Sequence, residues 1–331
     1  MRISIPRETW PCEARVAATP SAVHLLILEG HSVIVEQNAG SASGFADDAY
    51  IIAGAEIAPT PEETFDRGEW IWKVLRPTAH ESRLLRAGQA LFACLHVGEP
   101  LPEGVRAIAA ERAQLGTESP PVLAAMSEIA GRLAVGIASH VLQRQHGGRG
   151  LFLGGVTGVE SARVVVIGAG NAGRAAVRMA AAMGAEVVAL DTDIGRLRAL
   201  GEHVRVGTLY ATAHNVERAL ATADVVIAAT RATDADHDAL SAMGPRAPRV
   251  ATRAHLALMQ PGAVIVDLSI TDGGAFESTP VTSLDSPSRL LDGVVHVGVP
   301  NLPGGVPRTA SIALSQAALP ILRALLRTAP K

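Results

Sequence analysis

The chain has 331 residues, of which 48% are hydrophobic and only 3% aromatic, and a formal net charge of −3. That length exceeds one minimal core and implies two domains, while near-neutral charge with scattered arginines excludes a polyanion-binding surface and so nucleic acid as a partner. Two cysteines, Cys12 and Cys94, without CxxC spacing exclude a disulfide framework or zinc cluster and point to a reducing, cytoplasmic setting; the 11 histidines show no HxxxH or HExxH arrangement, so no metal is expected.

In chain order, the N-terminus MRISIPRETW has no apolar signal core. Ile3–Ile5 reads as a strand, followed by an amphipathic helix near Ser21–Glu29 between Pro20 and Gly30, and by a strand at His31–Glu36. Trp70–Leu75, Ala90–His96 and Val105–Ala109 are further strands separated by polar or Pro-containing turns. From Ala124 to about Gln145 the pattern is helical, long enough to bridge two domains, until Gly147, Gly148 and Gly150 break it.

Next comes VVVIGAGNAGRAAVRMAAAMGAEVVALD at Val164–Asp191, with the parts of a dinucleotide-binding βαβ unit in order: a strand Arg163–Ile167, a helix Asn171–Met183 and a second strand ending at Asp191. Gly168 permits the tight turn. Gly170 lets the N–H groups around Asn171 and Ala172 approach a pyrophosphate at the positive helix end, and Gly173 allows close helix–strand packing. Asp191, 23 positions after Gly168, is placed to hold a ribose and to repel a 2′-phosphate, which selects NAD over NADP, although Arg196 and Arg198 lie nearby. Later strands at Val225–Ala229 and Val264–Leu268, with helices at Val216–Thr222 and Thr252–Met259, complete a doubly wound sheet; Asp234–Pro248 reads as a surface loop and Ser311–Leu326 as a final helix. Alanine-rich Ala175–Ala182 reads as packed helix, and apolar runs elsewhere read as too interrupted to span a bilayer, so no membrane is expected.

Collinear with these elements are the segments IPRETWPCEARVAATP (Ile5–Pro20), SGFADDAY (Ser43–Tyr50), WKVLRP (Trp72–Pro77), LFACLH (Leu91–His96), MSEIAGRLA (Met126–Ala134), GGRGLFLGGVTGV (Gly147–Val159), VIVDLSITDGG (Val264–Gly274) and VPNLPGGVPRTAS (Val299–Ser311). Through them the whole chain resembles the alanine dehydrogenase family, which shares its architecture with the NAD-binding subunit of proton-translocating transhydrogenase. The resemblance implies an α/β protein of two Rossmann-like doubly wound domains joined by long helices. A substrate domain would be formed by 1–123 plus 302–331, and a complete NAD-binding domain by 124–301.

It also implies residue roles. Arg15 grips a substrate carboxylate, for which a planar guanidinium is suited; the alternative is an exposed arginine pairing with Glu13 or Glu8. Lys73 hydrogen-bonds the substrate carbonyl or imine, or is a structural ion pair. His96 exchanges the proton, or is structural. Ser127 and Asn301 lie near the cofactor, and Asn301 also near the substrate; the alternatives are a helix cap and a turn. Ser269 and Thr271 join Gly168, Gly170, Asn171, Ala172, Gly173, Asp191 and Arg196 as cofactor contacts. Where the family has an acid followed by glutamine, this chain has Thr271 and Asp272, and Asp272 is the candidate replacement for the acid. The segment after His96 is shorter than in the family, Asp234–Pro248 longer, and the chain ends soon after Leu326, so the family hexamer is not carried over; a homo-oligomer, at least a dimer through the nucleotide domains, is expected.

The leading expectation is therefore an NAD-dependent dehydrogenase of a small amino acid, by default alanine to pyruvate and ammonia, or a reductase of a related imine. A transhydrogenase-like NADH-binding component and a non-catalytic NAD-binding protein are the alternatives.

Overall fold

The computed structural model describes residues 1–96, 100–116, 119–231 and 247–328. It divides into two compact units, Met1–Met126 with Pro303–Lys331, and Ser127–Leu302.

Among the described residues, the first unit contains a six-stranded sheet in the order β3-β2-β1-β4-β5-β6, parallel throughout. The strands are β1 (Arg2–Ile5), β2 (Ser32–Glu36), β3 (Glu56–Ala58), β4 (Trp70–Leu75), β5 (Ala90–Cys94) and β6 (Arg106–Ala109). The central strands β4 (WIWKVL) and β5 (ALFAC) are apolar almost without alternation because helices cover both faces of a parallel sheet. Those helices include α1 (Pro20–Leu28), α2 (Asp47–Ile52), α3 (Pro61–Arg67) and the short α4 (Ala79–Ser82). Thr19, Thr60 and Thr78 cap α1, α3 and α4 through their hydroxyls, and Pro opens α1 and α3. A long helix α5 (Pro121–Val141) runs from the first unit's residues into the second's.

Among the described residues, the second unit holds a seven-stranded sheet, β12-β13-β11-β10-β7-β8-β9. Its strands are β7 (Arg163–Ile167), β8 (Glu186–Asp191), β9 (Gly207–Tyr210), β10 (Val225–Ala228), β11 (Val264–Asp267), β12 (Ser288–Leu291) and β13 (Val294–Val297), with helices α6 (Asn171–Ala182), α7 (Ile194–Gly201) and α8 (Ala213–Thr222). All pairings are parallel except β12 with β13. Strand order reverses between β7 and β10, the switch point at which doubly wound sheets bind ligands. The last helix, α9 (Pro307–Thr328), buries Leu314, Ala318, Ile321, Leu322 and Leu326 in the first unit's core.

Three expectations change. Thr252–Met259 is not an α-helix but a 3-10 turn at Arg253–Leu258. Thr252 and His255 cap it, and Pro261 disfavours helical backbone at the residue before it. The bridging helix starts at Pro121 and ends at Val141, leaving Arg144–His146 as a separate 3-10 turn. Finally, α5 and α9 are long and apolar enough to cross a bilayer by length and composition, contrary to the reading that apolar runs fall short. In α9 half of the most apolar window is buried within the fold, so core packing accounts for its apolarity. Residues 232–246, most of the Asp234–Pro248 connection, lie outside the described residues.

Candidate active site and nucleotide turn

Chains leaving β1, β4, β5 and β6 of the first unit bring charged groups to the carboxyl edge of its sheet. Arg15 lies in the loop after β1 and is 97% buried. Its Nε and Nη2 donate to Glu13 at 2.7 and 2.5 Å, and Nη1 reaches the Met126 thioether at 3.4 Å. Buried hydroxyls fasten this loop to α9. Ser311 Oγ accepts from Val16 N–H at 3.0 Å, Ser315 Oγ from Thr19 N–H at 3.2 Å, and Ser43 donates to the Ala14 carbonyl at 2.7 Å.

Lys73 sits inside β4 with almost no exposed surface. The β4–β5 register shifts between Trp72 and Leu75, and such an irregularity re-aims side chains. Glu8 occupies the gap: Oε1 accepts from Val74 N–H at 2.7 Å and Oε2 lies 3.2 Å from Lys73 Nζ. Glu81 is the second counter-ion, at 3.0 Å, and its other oxygen accepts from Thr78 N–H at 2.8 Å in the α4 capping box. Burial alone would lower the Lys73 pKa; Glu8 and then Glu81 more than offset it, so the ammonium stays charged with a pKa above the lysine norm. Lys73 is thus ion-paired with Glu8 and Glu81, as its structural alternative has it, whereas Arg15 pairs with Glu13 from a buried and not an exposed position. Neither pairing uses every donor, since an ammonium has three and a guanidinium five.

His96 is exposed, two residues beyond β5, with φ 44. Its N–H and that of Leu95 donate to the buried Glu111 carboxylate at 2.8 and 3.1 Å. Cys94, at the end of β5, is buried. Burial, then the charge of Glu111, raises its thiol pKa to about 12, with Arg15 acting in the opposite sense and Glu8 and Glu13 also within electrostatic reach.

In the second unit the nucleotide turn has the expected mechanics. Gly168, at φ 100, lies so near the end of β10 that a side chain there would press on the Ala229 carbonyl, and a Cβ on Gly173 would overlap the Gly168 carbonyl. A Cβ on Gly170 would meet nothing within 4 Å, so open space lies beside the N-terminus of α6. Asn171 accepts from Arg174 at 2.7 Å. Asp191 ends β8: Oδ2 accepts from Ala169 N–H at 2.6 Å, Oδ1 from Asp193 N–H at 2.8 Å, and Arg196 stands 3.9 Å away, more than half exposed. The acid expected to hold a ribose thus braces the glycine turn.

The loop after β11 is organised by Asp267, which is buried and accepts from the N–H groups of Ser269, Ala275 and Phe276 at 2.9, 2.8 and 3.0 Å. Ser269 donates to the Thr230 carbonyl at 2.6 Å, bridging the ends of β10 and β11. Thr271 and Asp272 share a 3-10 turn, Ile270–Asp272, in which successive side chains are about 120° apart. Thr271 is exposed and Asp272 half-buried, so Asp272 does not occupy the direction of Thr271. Asn301 is exposed at φ 56, a left-handed turn conformation that asparagine tolerates, and Ser127 is half-buried on α5. Glu81, Glu111, Asp267 and the α9 serines were not singled out by sequence reasoning; for the first three, the signal lies in position at or just beyond a strand's carboxyl end or in a helix cap.

Two family descriptions cover this architecture: Alanine dehydrogenase/PNT, N-terminal domain, matches residues 4–130, and Alanine dehydrogenase/PNT, C-terminal domain, residues 134–330. An alanine dehydrogenase of Methanococcus maripaludis is 39% identical over 330 residues, 97% of this chain and 86% of the relative. A solved L-alanine dehydrogenase superposes with TM-score 0.87 at 38% identity, covering 99% of this chain and 90% of that one. The transhydrogenase of Sinorhizobium meliloti gives TM-score 0.80 at 28% identity, covering 98% and 94%. With both halves matched in order and nearly the whole length aligned, the chain belongs to the alanine dehydrogenase/PNT family.

Proposed function

We propose that this chain is an NAD(H)-dependent amino acid dehydrogenase that interconverts L-alanine and pyruvate plus ammonia. The observation that carries the reading is that the neighbouring strands β1, β4 and β5 carry buried Arg15 in the loop after the first, buried Lys73 on the second and His96 just past the third, in a family whose relatives are alanine dehydrogenases. Arg15, braced by Glu13, offers Nη1 to the substrate carboxylate; its present partner there, a thioether, is a weak acceptor. Lys73, held charged by Glu8 and Glu81, has a remaining N–H with which to polarise the carbonyl or imine oxygen or nitrogen. His96 exchanges the proton that carbinolamine formation and collapse require.

The residues of the second unit fit NAD. Gly168, Gly170, Asn171, Ala172 and Gly173 would receive the pyrophosphate at the start of α6, and Asp191 the adenosine ribose, its negative charge opposing a 2′-phosphate. Arg196, Ser269, Thr271, Ser127 and Asn301 complete the proposed cofactor set. When bound, the nicotinamide supplies the hydride acceptor for deamination and the donor for the reverse reaction. Thr271 and Asp272 together favour a second reading, a member re-specialised for another 2-oxo acid or a preformed imine, because no carboxylate stands at position 271. We also assign the chain to homo-oligomers, a dimer or larger, and to the reducing cytoplasm, in keeping with the free thiols of Cys12 and Cys94.

The test is NADH oxidation followed by absorbance with ammonium and a panel of 2-oxo acids. Turnover on pyruvate supports alanine, turnover only on another acid supports the second reading, and NADH binding without turnover on any acid or imine overturns both in favour of a carrier or binding protein.

A further inference from the structure

We infer that Glu111 is a positioning residue for the reaction, fixing the backbone from which His96 presents its imidazole. The inference rests on the proposed dehydrogenase reading for its kinetic consequence, but its geometry stands on its own. β5 and β6 run parallel with Ala93 opposite Ala109, and one further rung joins Ala110 N–H to the Ala93 carbonyl at 2.8 Å. Beyond it the chain after β6 turns, with Arg112 and Ala113 both donating back to the Ala109 carbonyl. Past the end of that ladder the Leu95 and His96 amides are met by a side chain. Continuing the register by two residues brings Glu111 level with Leu95, and its carboxylate takes both N–H groups, at 3.1 and 2.8 Å, one oxygen each.

This arrangement fits the conformation it holds. His96 has φ 44, in the left-handed region that residues with a side chain adopt sparingly. Such a residue persists where its surroundings over-determine it. A carboxylate accepts two N–H groups from consecutive residues better than any neutral side chain, because each bond is charge-assisted and both oxygens lack hydrogen. Glu111 is 96% buried, so its loss would leave both amides without the charged acceptor that fixes them. It touches neither substrate nor cofactor in this scheme and acts through His96.

The experiment compares Glu111→Ala and Glu111→Gln with wild type in the pyruvate, ammonium and NADH assay. Because misplacing a reacting group by about 1 Å can cost about 10²-fold, kcat should fall about tenfold or more in Glu111→Ala. The KM for pyruvate, set by Arg15 and Lys73, and the NADH affinity should stay within about threefold. Glu111→Gln, with one acceptor oxygen, should lie between. Two readouts do not depend on turnover: hydrogen exchange at the Leu95 and His96 amides should quicken, and the ¹⁵N imidazole signal of His96, assigned by its loss in His96→Asn, should shift or broaden. An inactive wild type defeats the dehydrogenase reading, while these two readouts still decide whether Glu111 positions His96. Unchanged kcat with an unchanged imidazole signal overturns the inference, and so does a lower melting temperature without either change. If Glu111→Ala does not fold, Glu111→Gln carries the same comparison.

Discussion

Lys73 has its ammonium inside a parallel sheet, a setting tolerable only because Glu8 and Glu81 stand at 3.2 and 3.0 Å. Removing it leaves two buried carboxylates facing each other, and breaking a buried pair in this way costs about 3–5 kcal/mol. Lys73→Met should therefore lower the stability of the protein in urea by that order and abolish turnover, with NADH fluorescence titration still reporting wild-type affinity; full turnover in this variant would falsify the assignment of Lys73 to the substrate. His96, Arg15 and Lys73 could be proposed from the sequence, since each stands in a recognisable short motif. Their partners were not. Glu111 lies 15 positions from His96 in the chain, and a lone glutamate beyond a strand reads as a surface charge until the register of β5 and β6 is known. A different acid effect concentrates at His296 on β13, which has no exposed surface, shares a hydrogen bond with Thr279 at 3.1 Å, and has no partner for Nε2 among the described residues. Burial lowers its pKa to about 4 from 6.5. The unfolded chain takes up the proton first as pH falls, so this contribution is complete above pH 6.5 and is lost as pH falls through 4, amounting at most to about 3 kcal/mol. Urea titrations at several pH values should show a shallower fall of stability between pH 6.5 and 4 for His296→Phe than for wild type; parallel curves rule this origin out.

Among the elements, the strands and the glycine turn were the easiest to read, because buried parallel strands announce themselves as apolar runs and each glycine answers a steric demand. Short edge elements such as β9 and the β12–β13 hairpin were missed, as four-residue segments hold too few positions for a period to show. Thr252–Met259 was over-read as helix for a related reason: its apolar spacing suits one turn, and Pro261 prevents a second. The packing of α5 against the nucleotide turn was also invisible in one dimension. Gly131 on α5 approaches the first turn of α6 so closely that a Cβ there would overlap the Ala172 carbonyl, a backbone atom that cannot rotate away. Gly131→Ala, favourable by helix propensity alone, should instead cost about 1–3 kcal/mol as overpacking. Because the displaced atoms belong to the proposed pyrophosphate cradle, NADH affinity should weaken about tenfold or more, a free-energy change within that range. Calorimetric titration checks this, and tighter or equal binding with a raised melting temperature would mean that α5 yields without disturbing α6.

At the scale of the molecule, the two units have the same strand order around their switch points, β3-β2-β1-β4-β5-β6 in one and β9-β8-β7-β10-β11-β13 in the other. Topology alone would allow a dinucleotide at both, since doubly wound sheets bind at that place. Chemistry separates them. After β7 the chain turns on Gly168 into α6 and presents free N–H groups beside open space. After β1 it continues as Pro6-Arg7-Glu8, with no Gly-rich turn, and no helix begins until Pro20. At that switch point the Glu8 carboxylate takes the Val74 N–H and Glu36, at the end of β2, takes the Arg7 N–H at 3.0 Å. Those carboxylates already hold the backbone N–H groups that a pyrophosphate would need, whereas Arg15 and Lys73 suit a single small carboxylate and its carbonyl. Calorimetric titration with NADH should therefore saturate at one molecule per chain, and Asp191→Ala should remove that binding without exposing a second, weaker isotherm. A stoichiometry of two, or NADH retained after the loss of Asp191 and the Gly170 cradle together, would mean that fold rather than side-chain chemistry selects the cofactor.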